Sequence, residues 1–424
     1  LGLSYANVSS DVWRNLTGIV TSQARVSRIR FGDSWRYRET REESDPRHET
    51  ATWTWSPLDT RLNWADDREL DVLLIIEIDP PAWACEPGTE LEFAQHCSIA
   101  DEMLDDFALY VRTLLDRFGH LIGKLQMGNE WTWQLQGRWQ DYLEFCDVIT
   151  DEVEAYELAE GRDIEVALGP LPTSEMTMVG LCMNLDETEL ITILETHGFD
   201  WYSECGERLE YDLDEVRDLC AAWQLGPVDG ASVGRPAIEG ALREATYDWV
   251  SMHLYDNDDL WPWQVRGMRK LASVARPTST PSYMVTEFGG HSYFGWDPSR
   301  TSEEEYCQET EYLTRSLATR ARIAQGDDGF VGHELREAYF FSAHDNWAWC
   351  TQSGTPTHMT HGLVRRPETL EPSELTCDST VDTREAVTDE TCDSTETREA
   401  RCIDDQWWSG CYAFNPILEV YNAW

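Results

Sequence analysis

The sequence predicts an α/β chain folded as a (β/α)8 TIM barrel with disulfide-stapled loop insertions, on three observations. Short apolar runs alternate with longer amphipathic stretches along all 424 residues, eight such runs can be placed, and two cysteine-containing segments interrupt the alternation. This is the pattern expected when buried parallel strands are joined by crossover helices.

The eight runs are Leu1 to Tyr5, Val26 to Phe31, Val72 to Ile78, Leu125 to Gly128, Ile164 to Leu168, Trp249 to Leu254, Tyr283 to Thr286 and Ala338 to Phe341. Between them, helices are expected at Asp11 to Gln23, Asp101 to Phe118, Asp141 to Leu158, Trp263 to Ala275 and Ser302 to Gln325. The first follows Ser9-Ser10 and the last opens with Ser302-Glu303-Glu304-Glu305, side chains suited to the unsatisfied N–H groups of a helix start. Asp101 to Phe118 carries Leu104, Phe107, Ala108, Val111, Leu114, Leu115 and Phe118 at helical spacing, the stripe of a helix that coats a barrel. Asn415 to Tyr421 predicts a closing eighth helix, with Pro416 in the first turn, where its missing N–H is tolerated.

Residues 1–424 read as one domain. Residues 172–235 contain Cys182, Cys205 and Cys220 and predict an excursion of the loop after strand five. Residues 371–410 hold an acidic near-repeat, Thr376-Cys377-Asp378-Ser379-Thr380 recurring as Thr391-Cys392-Asp393-Ser394-Thr395, echoed by Thr383-Arg384-Glu385-Ala386 and Thr397-Arg398-Glu399-Ala400. Lacking apolar periodicity, this segment predicts a disulfide-stapled insertion in the last βα loop, before the last helix. Both segments lie where they can shape a cleft or simply stabilise the fold.

Charge narrows the class. The chain has 79 acidic against 33 basic residues, a formal net charge of -46, and Lys124 and Lys270 are its only lysines. Nucleic acid is excluded as a partner by this field. Acid excess with lysine depletion resembles proteins of salt-loving organisms, because at molar salt the Debye length shrinks to about 3 Å and the carboxylates no longer repel one another. Salt-dependent folding is therefore expected. A disordered acidic chain is disfavoured by 41% hydrophobic residues and 20 tryptophans, enough to build a core.

Twelve cysteines, several at loop-sized separations (Cys85 with Cys97, Cys377 with Cys392, Cys402 with Cys411), and no CxxC or Cys/His zinc spacing predict disulfides rather than metal. The start at Leu1 fits removal of a signal peptide, and the sequons Asn7-Val8-Ser9 and Asn15-Leu16-Thr17 agree with export, so a secreted or cell-surface protein of a hypersaline environment is expected. No apolar run approaches the roughly 20 residues of a membrane span. No cofactor or metal is implied, and the sequence carries no signal of oligomeric state.

The chemistry is expected at the carboxyl ends of the strands, where a barrel of this kind keeps its site. Two carboxylates stand there: Glu130, in Met127-Gly128-Asn129-Glu130-Trp131 after strand four, and Glu287, in Met284-Val285-Thr286-Glu287-Phe288 after strand seven. Strands four and seven lie across a small barrel from each other, so the two glutamates can converge. Cleavage of a glycosidic bond with retention needs one protonated and one ionised carboxyl about 5 to 5.5 Å apart. Burial beside a second carboxylate keeps one of the pair protonated, the role assigned to Glu130. Glu287 is then the nucleophile. His253 and Tyr255, two residues apart at the end of strand six, share a face and line the same subsite.

With these residues the chain resembles the clan A glycoside hydrolases, the 4/7 superfamily of retaining (β/α)8 enzymes, whose hallmarks are an Asn-Glu pair closing strand four and a Glu closing strand seven. The resemblance implies a carbohydrate substrate, with Asn129 on the sugar 2-hydroxyl, Tyr255 donating to the nucleophile and Arg30, ending strand two, contacting it, while Arg28 can serve as a barrel-interior ion pair. Pro80-Pro81-Ala82-Trp83-Ala84 resembles a Pro-x-Trp-Ala loop of several clan families, in which Trp83 walls the sugar site. Trp131 and Trp133, and Tyr293, Phe294 and Trp296, add aromatic faces that stack on sugar C–H groups. Strand eight departs from the family, offering Ser342 where a floor tryptophan is common, with Trp347 or Trp349 as substitutes. The family histidine after strand three is not evident either. Activity on β-linked glycosides is the implied function, and a non-catalytic carbohydrate-binding or cell-surface protein on the same barrel is the alternative.

Overall fold

Eight strands form where the apolar runs fall. They are β1 (Gly2–Ser4), β2 (Arg28–Asp33), β3 (Asp71–Ile76), β4 (Lys124–Met127), β5 (Glu165–Leu168), β6 (Trp249–Leu254), β7 (Ser282–Phe288) and β8 (Leu335–Phe341). The computed structural model of the chain describes residues 2–4, 26–40, 52–89, 96–197, 199–202, 208–228, 231–255, 260–279, 281–288, 335–341, 364–365, 400–404 and 409–414. Every neighbouring pair of the eight is parallel, and the pairing order β1-β8-β7-β6-β5-β4-β3-β2 returns to β1 as a closed barrel.

Parallel neighbours require crossovers, and helices supply them. Those described are α1 (Ser56–Asp66) before β3, α2 (Leu104–Phe118) before β4 and α3 (Trp139–Glu160) before β5, followed by α4 (Thr173–Cys182), α5 (Thr188–His197), α6 (Leu213–Trp223) and α7 (Arg235–Glu244) before β6 and α8 (Trp261–Ala275) before β7. The helices expected at Asp11 to Gln23, Ser302 to Gln325 and Asn415 to Tyr421 lie outside the described residues, as does most of 371–410. Its described end, Ala400–Asp404, pairs antiparallel with Ser409–Phe414, with Cys402 and Cys411 as register partners.

α2 illustrates what holds a helix here. Met103 at its amino-terminal cap offers no side-chain bond, and Asp101–Met103 forms a 3-10 turn instead of the helical start expected. A missing cap costs about 0.5–2 kcal/mol. Phe107, Tyr110, Val111, Leu114, Leu115 and Phe118 are all buried, each at about 1.5–3 kcal/mol of transfer free energy, so the stripe outweighs the cap. Phe107 meets Phe145 of α3 at 5.1 Å between ring centres.

Alternation along the strands separates two cores. Leu74, Ile76, Leu125, Met127, Val250, Met252 and Val285 join the helices in the outer core, while Leu73, Ala167, Trp249, Met284 and Tyr339 fill the barrel interior. Beneath that plug Glu337 accepts from Tyr339 (3.0 Å) and pairs with Lys124 (3.1 Å) and Arg28 (3.5 Å), which places an ion cluster at the amino end. A plug above an ion cluster leaves the carboxyl end as the face for chemistry.

Disulfides join Cys85 to Cys97, at the spacing read from the sequence, and Cys182 to Cys220. The second ties α4 to α6 inside residues 172–235, which hold α4, α5, α6 and the hairpin Phe199–Tyr202 with Arg208–Tyr211. No described helix is long and apolar enough to cross a membrane.

Candidate active site

The loop after β4 begins with a glycine in a backbone conformation that favours glycine. Gly128 has φ +74°, and a Cβ on it would stand 2.7 Å from Ile78 Cδ1, so the chain turns sharply between Met127 and Asn129. Glu130 follows at φ +47°, ψ +47°, a left-handed conformation rare for a side-chain-bearing residue and costing on the order of 1–2 kcal/mol. Its carbonyl accepts from Trp133 (3.0 Å) and Gln134 (3.2 Å), making Glu130 the cap of the short helix Trp131–Gln134.

Arg30 organises the barrel mouth. Fully buried, it donates through Nε to Gln126 (2.9 Å), through Nη1 to Ser4 (2.6 Å) and Glu287 (2.6 Å), and through Nη2 to Asn129 (2.7 Å), so one guanidinium joins four strand ends. Taking the Asn129 carbonyl oxygen orients that amide and leaves its amino group to donate elsewhere. Replacing Arg30 with Met is expected to lower stability by about 3–5 kcal/mol, because Glu287 would keep a buried charge without its cation. Urea denaturation checks this, and a loss below about 1 kcal/mol would contradict the hub role.

Glu287 owes its aim to a bulge. Met252 of β6 pairs with Val285 but His253 pairs with Glu287, so Thr286 is an extra residue in β7. Bulges re-aim side chains in this way. Glu287 Oε1 takes the Arg30 bond and Oε2 accepts from Tyr255 Oη, so each oxygen has a donor. Burial, and then the Glu287 charge, push the Tyr255 hydroxyl well above its ordinary range, so it stays protonated and donates.

His253 stands between the two acids. Its Nδ1 lies 2.9 Å from Glu130 Oε1 and its Nε2 lies 3.4 Å from Glu287 Oε1. One imidazole therefore spans the gap between the carboxyl groups. Burial pushes its pKa down to about 3 despite the nearby Glu287, so the ring is neutral at working pH. Glu130 differs sharply in environment from Glu287. Among the described residues no cation pairs with it directly, and loss of hydration among surrounding protein raises its pKa to about 7 while the Arg30 charge pulls the other way. About a third of the side chain, 31%, remains accessible, so the proton it carries is open to the cleft.

Glu130, Glu287, Asn129, Arg30, His253 and Tyr255 thus stand together at the carboxyl end of the barrel. The aromatic residues divide. Trp83, half-buried after β3, meets Trp35 edge-on at 5.3 Å. Trp131 departs from its expected place on the sugar: 1% exposed, it lies parallel to Tyr142 at 4.4 Å, because the left-handed turn at Glu130 drives the next residue into the core. It braces the acid's helix and has no free face for a ligand. Trp347, Trp349, Ser342, Tyr293, Phe294 and Trp296 lie outside the described residues.

His96 was not singled out by sequence reasoning. Its Nδ1 donates to the Ile78 carbonyl at 2.8 Å, just past β3, and its ring meets Trp133 edge-on at 5.6 Å. A carbonyl only accepts, so Nδ1 carries the hydrogen; burial lowers the pKa, leaving Nε2 as an acceptor. The signal was Cys97: bridged to Cys85, it returns residue 96 to the end of strand three. Among the described residues, no group of three or more His, Cys, Asp or Glu is placed to hold a metal ion.

The sequence matches no protein-family model and no curated protein. Solved structures do resemble the chain. A family 39 glycoside hydrolase from the gut symbiont Bacteroides cellulosilyticus WH2 aligns with 86% of this chain at 12% identity and a TM-score of 0.50. The chain covers 59% of that protein's length. A β-glucosidase from Exiguobacterium marinum (12% identity, 83% of this chain, 81% of that one, TM-score 0.46) and a family 39 β-xylosidase from Caulobacter crescentus (13%, 80%, 61%, TM-score 0.43) also align. At these identities the likeness concerns the fold.

Proposed function

We propose that this chain is a retaining β-glycosidase on a complete (β/α)8 barrel, with Glu130 as general acid/base and Glu287 as nucleophile. The observation that carries the reading is the pair of contacts made by His253, 2.9 Å to Glu130 and 3.4 Å to Glu287, which sets two unlike carboxyl groups on either side of one ring. Glu130, with its pKa near 7, keeps a proton to give to the glycosidic oxygen as that bond breaks. Glu287, held on both oxygens by Arg30 and Tyr255, attacks the anomeric carbon and forms a glycosyl ester. Water then enters, Glu130 takes its proton, and Glu287 leaves. Asn129, oriented by Arg30, donates from its free amino group to the sugar 2-hydroxyl, a bond worth most as positive charge develops on the ring.

A carbohydrate substrate agrees with the aromatic side chains near the mouth, of which Trp83 and Trp133 are half-buried. The two disulfides among the described residues and the charge of -46 support a secreted protein working in concentrated salt. A 2-deoxy-2-fluoro glycoside with an activated leaving group, applied in concentrated salt, tests the mechanism, because slow hydrolysis of its ester leaves the sugar on the nucleophile. The expected result is time-dependent inactivation with the sugar on the peptide containing Glu287. Product of inverted configuration, or saturable sugar binding with no turnover of any β-glycoside, would replace the reading with an inverting enzyme or a binding protein.

A further inference from the structure

The described part of residues 172–235 holds a buried carboxylate that the proposed chemistry does not use. Glu175, in the first turn of α4, is 1% exposed. Its bonds come from neutral donors: Ser232 N (2.9 Å), Ser232 Oγ (2.6 Å) and Ser174 Oγ (2.5 Å). Burial raises its pKa and the serine donors pull it back. Among the described residues no cation pairs with it, and a buried carboxyl so placed is costly to keep.

Ser232 lies against the turn that follows Glu130. Gly137 approaches so closely that a Cβ on it would stand 3.0 Å from the Ser232 carbonyl oxygen and 3.2 Å from Val233 Cγ1. Its own N–H returns to Thr132 O (2.9 Å), in the short helix that Glu130 caps. Glu130, Gln136 and Gly137 all have positive φ, at 47°, 49° and 78°, and only one of the three is glycine. Such backbone persists where its surroundings over-determine it.

Two braces do so here. On one side Arg138 donates to Ser98 Oγ (2.9 Å) and to the Thr89 carbonyl (3.1 Å), joining the turn to the Cys85–Cys97 loop. On the other stand Ser232 and Val233, and that brace is closed on itself. Cys182, ending α4, is bonded to Cys220 of α6; Trp223 donates to the Val233 carbonyl (3.2 Å); Val228 and Ala231 exchange backbone bonds (3.3 and 2.9 Å). Glu175 completes the circuit by tying α4 to Ser232.

We propose that Glu175 is a positioning residue for Glu130. By holding Ser232 against Gly137, it maintains the left-handed turn that keeps the Glu130 carboxyl against His253 and under the leaving group. This rests on the reading of Glu130 as the general acid. The plainer role, a carboxylate that stabilises the amino end of α4, would affect stability alone.

Proton donation is needed for a poor leaving group and hardly at all for an activated one, so the two roles separate in kinetics. Glu175→Ala and Ser232→Ala are expected to lower kcat/KM on an alkyl β-glycoside by about tenfold, part of the roughly 10²–10⁴-fold that a general acid supplies. On a dinitrophenyl β-glycoside the same variants stay at the wild-type value, and Glu175→Gln, which retains an acceptor for Ser232, restores the alkyl rate. Independently of turnover, the Glu130 titration, followed by carbon-13 NMR of labelled glutamate side chains and assigned with Glu130→Gln, is expected to fall from about 7 toward the ordinary range as the loosened carboxyl gains water. Equal losses on both glycosides, or a folded Ser232→Ala protein whose Glu130 titrates as in wild type, would overturn the proposal. Should wild type cleave neither substrate, the glycosidase reading fails on its own, and the titration still decides whether Glu175 positions Glu130.

Discussion

Replacement of Glu287 by Gln is expected to lower kcat on β-glycosides by about 10⁴- to 10⁶-fold, the range seen when an enzyme loses its attacking group. The amide has the volume of the acid but cannot form the glycosyl ester. The fold should survive the change. The introduced amide can turn its oxygen toward Arg30, which in the wild type donates to Glu287 Oε1, and its amino group toward Tyr255, whose hydroxyl rotates from donor to acceptor. The measurement is initial rate on an activated aryl glycoside in concentrated salt, with circular dichroism to verify folding. Residual activity within tenfold of wild type would remove Glu287 from the mechanism.

The second large effect concerns Glu130 and pH. Its carboxyl is raised to about 7 and the acid form is the competent one, so kcat/KM on an alkyl glycoside should fall tenfold per unit as pH rises beyond about 7. Glu130→Gln should remove that descending limb and cost about 10²–10⁴-fold on the same substrate. His253, with its pKa depressed to about 3, is neutral throughout this range and does not contribute the limb. The stability consequence has the opposite sign to the usual carboxylate. Glu130 holds its proton in the folded chain to higher pH than in the unfolded one, so its contribution is fully present below the ordinary glutamate range and is lost as pH rises through about 7. Glu130→Gln should therefore melt higher than wild type at pH 8, with little difference at pH 4. A wild-type profile flat from pH 6 to 9 on the alkyl substrate would contradict the assignment.

Much of the architecture was legible because buried parallel strands are short apolar runs, and each of the eight runs overlaps an observed strand. Ends moved by one to three residues where polar side chains join the strands: Arg28 and Asp33 in β2, Ser282 in β7, Glu337 in β8. Ser56–Asp66 and the helices within 172–235 were not among the expected elements, and for α4 the reason is physical. α4 is buried around its whole circumference, from Glu175 through Leu181, so no contrast between an apolar and a polar face marks it. In the site, Asn129-Glu130 and Glu287 were legible from their order on alternating elements. Trp131 was misplaced because an aromatic residue beside a catalytic loop reads alike whether it faces the sugar or the core.

By itself the sequence determined where the eight strands lie along the chain and which two carboxyl groups end strands four and seven, since these follow from periodicity and order along the chain, whereas the pairing of Cys85 with Cys97 was shown only by the fold. The tertiary structure alone decided how those groups differ. A left-handed turn at Glu130, an extra residue at Thr286, one guanidinium shared by Ser4, Gln126, Asn129 and Glu287, and an imidazole between two acids arise from residues far apart in sequence. Hydration and charge act through space, so proton affinity at Glu130 is set by its neighbours in the fold and by no local pattern of residues.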